Sequence, residues 1–203
     1  MKIESGDVTA LVLAGGQARR MGGQDKGLVE LQGKPMIQHI VEQISSQCGA
    51  LVINANRNHE QYEKPGYPVI SDELEDYQGP LAGMLAGLKA VQTRWMITLP
   101  TDGPFVESNY VEKMTGAIES SGNQIAVAQG QDRLQPVYVL LDRNLAPKLE
   151  DYLANGERKI DRWYDTVGYT SVPWPDTSKM FINVNSPDDL DAAESLLDQK
   201  SGL

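Results

Sequence analysis

Cysteine and histidine are nearly missing: the 203 residues include one cysteine, Cys48, and two histidines, His39 and His59. A single thiol excludes an intramolecular disulfide framework, and so few Cys and His exclude a zinc site of the Cys/His kind. A metal here would need oxygen ligands. Two scattered histidines also leave no hydrolase triad to propose, and no G-x-S-x-G elbow occurs. Long apolar runs are missing as well. The longest near the N-terminus, Val8–Leu13, is interrupted by Thr9 and preceded by Glu4 and Asp7. That is neither a secretory h-region nor a span of ~20 apolar residues, so the expectation is a soluble, cytoplasmic protein with no membrane partner. Positive charge is scarce: 18 Lys+Arg face 28 Asp+Glu, for a net charge of −10. Such a surface argues against a nucleic-acid partner. Repeats, low-complexity tracts and linkers longer than a turn are absent, which predicts a single domain over residues 1–203.

What is present is ordinary globular material, 40% hydrophobic and 23% charged, arranged in alternating strand and helix patterns. Residues 7–13 (DVTALVL) form a nearly unbroken apolar segment, as expected of a strand buried on both faces of a parallel sheet. Pro35 opens a helix with Met36, Ile37, Ile40, Val41 and Ile44 on one face. Strands are predicted at 51–53, 68–70, 95–99, 125–128, 137–141 and 181–184. The intervening helices carry Leu81, Met84, Leu85, Leu88 and Val91, then 111–118, 145–153 and 187–197, the last opened by Ser186 as N-cap with Asp188 and Asp189 in its first turn. The alternation predicts an α/β domain with a mainly parallel sheet. In such folds ligands sit beyond the carboxyl ends of the strands.

The segments at those ends hold the distinctive residues. After the first strand comes LAGGQARRMGGQDKG (13–27), in which paired glycines, Gly15 and Gly16, turn backbone N–H groups toward an anion while Arg19, Arg20 and Lys26 add positive charge. Between Arg19 and Lys34 there are four bases and two acids, a local excess of +2 in a chain of net −10. The segment reads as a phosphate cradle. It is not a G-x-x-x-x-G-K-[ST] P-loop, and no G-x-G-x-x-G fingerprint occurs. Asp102, in Pro100-Thr101-Asp102-Gly103-Pro104, is the best metal candidate, because Mg²⁺ takes one or two carboxylates plus substrate phosphates; an Asp before Gly is equally a turn residue. Asp72 and Asn54 end two further strands with groups able to read a purine edge or to act as turn residues. Gly79 and Gly83 flank the start of a helix at a spacing that allows close backbone approach to a flat ligand. Asn183 and Asn185, at period 2, are predicted to share one face of the strand at 181–184 and its end.

Taken in order, these segments resemble the molybdenum cofactor guanylyltransferases, the MobA-type members of the nucleotidyltransferase superfamily. LAGGQARRMGGQDKG is similar to the superfamily signature L-A-G-G-x-x-x-R-M-G-x-D-K, and NANR (54–57), GPLAGM (79–84), NGERK (155–159) and FINVNSPDDL (181–190) narrow the resemblance to the guanylyltransferase. It implies a Rossmann-like three-layer domain, with Leu13, Ala14, Gly15, Lys26, Asn54 and Asp72 binding GTP and Asp102 contacting both GTP and Mg²⁺. Gly16 and Gly79 join them from the residue reading, Arg19, Lys26 and Asp102 are the expected catalytic groups, and Asn183 and Asn185 are the pterin-side candidates. The implied reaction is attack by the terminal phosphate of molybdopterin on the α-phosphorus of GTP, with release of pyrophosphate and transient contact with molybdoenzyme maturation proteins. Thr101 departs from the family, which often has Cys there, and 130–136 lacks a histidine before Pro136. CMP transfer to molybdopterin, nucleotide transfer to a sugar phosphate, and a non-catalytic GTP-binding adaptor are the alternatives. Lys26 and Asp102 together favour an enzyme.

Overall fold

A computed structural model describes residues 2–14, 25–73, 79–130 and 133–201. In chain order the strands are β1 (Val8–Leu13), β2 (Glu30–Leu31), β3 (Lys34–Pro35), β4 (Ala50–Asn54), β5 (Val69–Ile70), β6 (Trp95–Pro100), β7 (Ile125–Gly130), β8 (Arg133–Asp142) and β9 (Thr170–Pro173). The helices are α1 (Met36–Ile44), α2 (His59–Tyr62), α3 (Pro80–Ala90), α4 (Tyr110–Ser121), α5 (Ala146–Ala154), α6 (Ile160–Val167) and α7 (Pro187–Ser201). Seven strands form one sheet in the order β5-β4-β1-β6-β8-β7-β9. Four of its six pairings are parallel; β8 runs antiparallel to both neighbours. This is the mainly parallel α/β architecture that the alternation predicts.

β1 is buried along its whole length, as a central strand must be when both sheet faces are covered. Its side chains alternate between two cores. Val8, Ala10 and Val12 join α1 and α4 on one face, and Leu11 and Leu13 join α3, α5 and α6 on the other. In α1 the buried positions are Met36, Ile37, Ile40, Val41 and Ile44, the stripe read from the sequence. α3 is different: residues 81–88 are all buried. Full burial of a side chain such as Leu81 or Leu88 stabilises by ~1.5–3 kcal/mol, and the helix reaches the sheet closely because Gly83 and Gly87 carry no Cβ. A Cβ at Gly87 would lie 2.4 Å from Leu11 Cδ2.

A third, smaller core gathers Val29, Leu31, Met36, Phe105, Val184 and Ala193 where α7 meets the β2–β3 hairpin. Ser186 caps α7 as expected, its Oγ accepting from the Asp189 N–H at 3.2 Å.

One expectation is overturned. Residues 181–184 form no strand. Phe181 packs edge-on against Tyr138 with ring centroids 5.3 Å apart, and the Val184 N–H donates to the Asp102 carbonyl at 2.7 Å. The segment therefore lies across the end of β6, its apolar residues drawn into aromatic and satellite-core packing instead of a ladder. Asn183 and Asn185 consequently do not share a strand face. The β2–β3 hairpin, α2, α6 and β9 were not expected from the sequence.

Candidate active site

The parallel ladders set four strand ends abreast. Leu13 is in register with Asn54 of β4 and with Pro100 of β6, and Asn54 with Ile70 of β5. The Ala14 N–H donates to the Asn54 carbonyl at 2.8 Å and the Thr101 N–H to the Leu13 carbonyl at 3.2 Å, so the register persists one residue past the strands. Asp72 and Asp102 each follow by two residues, which places both carboxylates at the same end of the sheet. A cavity of about 640 Å³ opens there. Leu13, Asn54, Asn56, Asp72, Gly79, Gly83, Pro100, Asp102 and Asn183 line it on one side, and residues 133–138 on the other.

Asp72 is held by two amides: Asn54 Nδ2 donates to Oδ1 at 2.9 Å and Asn56 Nδ2 to Oδ2 at 2.8 Å. The Asp72 N–H donates to Asn56 Oδ1 at 2.8 Å. Each carboxylate oxygen keeps lone-pair capacity for a further donor, so the array is fixed yet still able to accept. Asn54 is itself 2% exposed and presses against α3, where a Cβ on Gly83 would lie 2.5 Å from its Oδ1. The close approach that Gly83 allows is thus to Asn54. Gly79 caps α3 with φ of +76°, a backbone state that favours glycine.

Lys26 Nζ lies 3.6 Å from Asp102 Oδ2 and donates to Asn185 Oδ1. Burial pushes the Asp102 carboxyl above its ordinary range, and the Lys26 ammonium opposes that shift. Among the described residues no cluster of three His, Cys, Asp or Glu exists. With Asp72 engaged by its two amides, Asp102 is the carboxylate left to act as a donor among the described residues of the wall, which fits a hard cation that takes most of its ligands from substrate phosphates and water. Thr101, where the expected family often has Cys, is 6% exposed, and its Oγ1 donates to the Leu13 carbonyl at 3.4 Å. Its place is structural.

The structure thus brings Leu13, Asn54, Asp72, Gly79, Asp102 and Asn183 to one cavity, with Ala14 beside it and Lys26 and Asn185 joined to it through Asp102. Gly15, Gly16 and Arg19 lie outside the described residues. Asn56, in the same strand-end segment as Asn54, is not singled out by the sequence. Neither is Asp25, a residue only 6% exposed. Tyr62 Oη donates to it at 2.7 Å, Arg57 Nε at 3.2 Å and Asn58 Nδ2 at 3.3 Å. Burial and the Asp25 carboxylate push the Tyr62 phenol far up, so it remains a protonated donor. The available signal was adjacency to Lys26. The second wall, 133–138, belongs to a strand that begins at Arg133, four residues before the 137–141 expected from the sequence.

That second wall is unusual in presenting consecutive residues, since a regular strand shows only alternate ones. The β7–β8 register breaks: Val127 pairs with Val139, but Ala128 pairs with Gln135. Pro136, Val137 and Tyr138 are extra on β8, a bulge that redirects side chains. Side chains satisfy two of its carbonyls: Tyr164 Oη donates to the Pro136 carbonyl at 2.6 Å and Thr98 Oγ1 to the Val137 carbonyl, while Tyr138 Oη donates outward to the Met180 carbonyl at 2.9 Å.

Residues 10–167 match the family model of the MobA-like NTP transferase domain. The chain is 43% identical over 198 residues to the molybdenum cofactor guanylyltransferase of Cupriavidus metallidurans, covering 95% of this chain and 97% of that protein. It is 45% identical over 181 residues to the protein of the same name from Shewanella woodyi, covering 89% and 92%. Among solved structures, molybdopterin-guanine dinucleotide biosynthesis protein A of Archaeoglobus fulgidus superposes with a TM-score of 0.76 at 26% identity, covering 94% of this chain and 99% of that one.

Proposed function

The chain belongs to the MobA-like NTP transferase family, and from that premise we propose that it transfers GMP from GTP to the terminal phosphate of molybdopterin, releasing pyrophosphate and forming a guanine dinucleotide cofactor. The acceptor phosphate oxygen forms a bond to the α-phosphorus as the bond to pyrophosphate breaks. No covalent enzyme intermediate is needed. Catalysis of this kind rests on positioning and on neutralising oxygen charge.

The observation that carries the reading is the Lys26 ammonium, set beside Asp102 and Asn185 at the edge of a cavity whose strand-end side is otherwise lined by amides and carboxylates. We assign Lys26 to the triphosphate, and with it Gly15, Gly16 and Arg19, because in the sequence they lie between Ala14 and Asp25, which both stand at this end of the sheet. Leu13 and Ala14 would flank the nucleotide through the strand-end backbone. Asn54 and Asp72 would face the nucleoside, with Gly79 starting α3 beside it. Asp102 would hold a divalent cation, Mg²⁺ by its oxygen chemistry; when bound, that cation supplies charge neutralisation at the phosphates. Asn183, the β8 wall and Arg133 would take the acceptor, while Asn185 holds the Lys26 ammonium. One nucleotidyltransferase domain working in the cytoplasm, where nucleoside triphosphates are available, suits this reading. Among the described residues no helix is long and apolar enough to cross a membrane.

Pyrophosphate release with GTP, CTP and ATP in turn, with and without molybdopterin, tests the proposal. Release only with GTP and molybdopterin together is expected. Preference for CTP would assign the cytidylyl reaction, and GTP binding without release would make the chain an adaptor.

A further inference from the structure

Two carboxylates are buried among the described residues, Asp25 and Asp142. Asp142 pairs with Arg94 and caps the turn into α5, donated to by the Asn144 N–H at 2.9 Å, a structural duty. Asp25 immediately precedes Lys26. A buried ion pair is weak support for stability in itself, since apolar packing of the same volume commonly serves as well. Its geometric effect here is specific. Tyr62, Arg57 and Asn58 donate to the Asp25 carboxylate from the β4–α2 side, while the Asp25 carbonyl accepts the Leu28 N–H at 2.9 Å and closes the turn through Lys26.

Gly27 is held from both sides. A Cβ there would lie 2.6 Å from Tyr62 Oη and 3.1 Å from Thr101 Cβ. The residue before Lys26 is therefore hydrogen-bonded to Tyr62, and the residue after it lies so close to Tyr62 and Thr101 that only glycine fits. Only the Lys26 side chain is left to extend toward Asp102 and Asn185.

We propose that Asp25 is a positioning residue, which with Tyr62 and Arg57 fixes the Lys26 backbone so that its ammonium meets the phosphates without reorganising. The inference rests on the assignment of Lys26 to the triphosphate. Its loss should appear in kcat and not in GTP KM, because misplacing a catalytic charge by about an ångström costs rate on the order of 10²-fold while ground-state contacts elsewhere persist.

The test is a double-mutant cycle on the full chain, with kcat and GTP KM from pyrophosphate release in the presence of molybdopterin and Tm measured for every variant. Asp25→Asn should lower kcat by roughly 10- to 100-fold with KM within about twofold. Added to Lys26→Ala, it should cost no more than about a further factor of two, because the group it positions is already gone. If the double variant falls by the product of the single losses, or if Asp25→Asn keeps parental kcat, the positioning role is overturned and the Lys26 assignment stands. If Lys26→Ala itself keeps parental turnover, that assignment fails and the positioning role with it. Should Asp25→Asn fail to fold, the same cycle with Tyr62→Phe, which deletes one donor and keeps the buried ring, applies the same criteria to a loss of several-fold.

Discussion

Along one side of the cavity, Leu13, Asn54 and Pro100 are held abreast by parallel ladders, and the polar groups just beyond them are tied to one another: Asn54 and Asn56 to Asp72, Lys26 to Asp102 and Asn185. Along the other, residues 133–138 of β8 reach the cavity because the antiparallel register slips. There the fixed groups are carbonyls, held from behind by Tyr164 and Thr98. The first wall presents a preorganised array of charges and amides, and the second a shaped, mostly apolar strip with Arg133 at its end. On the proposed reaction the difference amounts to a division of labour, with charge development at the strand-end wall and acceptor shape at β8.

The largest break in that contrast should come from Lys26→Ala, expected to lower turnover by ~10²–10³, the usual cost of removing one preorganised electrostatic group. Turnover near the parental value at unchanged Tm would take Lys26 out of the mechanism. Asp102→Asn keeps the shape and removes the charge that a hard cation needs. Activity should fall by roughly 10²-fold, and the magnesium titration should shift to higher concentration; a superimposable titration would remove Asp102 as the metal ligand.

Asp72→Ala sharpens the strand-end side. A carboxylate accepting from N1–H and the exocyclic amino group of guanine would lose ~10-fold or more of the GTP:ATP preference, since a buried hydrogen-bonding group rejects a ligand that cannot pair with it. Affinities of parent and variant for both nucleotides decide this, and an unchanged ratio would make Asp72 a ribose ligand. On the β8 side, Arg133→Ala should raise the acceptor KM several-fold, in line with ~1 kcal/mol for an exposed charge contact, and leave GTP KM alone. A matching rise in GTP KM would erase the division.

The smallest effect is on stability against pH. Burial raises the folded Asp102 carboxyl above its unfolded value. The folded state therefore holds a proton that the unfolded state releases first, and the associated stability is present below the ordinary carboxylate range and lost as pH rises through the raised value. Thermal melts of the ligand-free parent should show this decline relative to Asp102→Asn, and parallel curves would contradict it.

Much of this was legible in the chain because burial leaves a period. The stripe Met36–Ile37–Ile40–Val41–Ile44 and the unbroken DVTALVL mark α1 and β1, and the rule that ligands sit past strand ends leads to Asn54, Asp72 and Asp102. The misses have physical causes. FINV has the composition of a strand, but its fate was set by Tyr138, Trp174 and the satellite core, all distant in sequence. α6 and β9 lie in a polar stretch where tertiary packing of Trp163, Tyr164 and Val172 decides the outcome. Asp25 was hidden by its exposed-looking context, since only the fold brings Tyr62 and Arg57 to it. The β8 bulge leaves Pro136 as its one mark, which by itself fits an edge strand, a strand start or a bulge alike.

The flush seating of α3 on β1 closes a common engineering route. Replacing a mid-helix glycine by alanine ordinarily favours the helix by ~1 kcal/mol, which makes Gly83 and Gly87 natural targets for raising heat tolerance. Here the added methyl would strike Asn54 and Leu13 at the first position and Leu11 and Met96 at the second. Relief would require these buried side-chain ends to turn aside or the helix to lift from the sheet, and at Gly83 the side chains that must give, Asn54 and Leu13, line the cavity. At Gly83 the helix's own preference and the shape of the cavity therefore point in opposite directions.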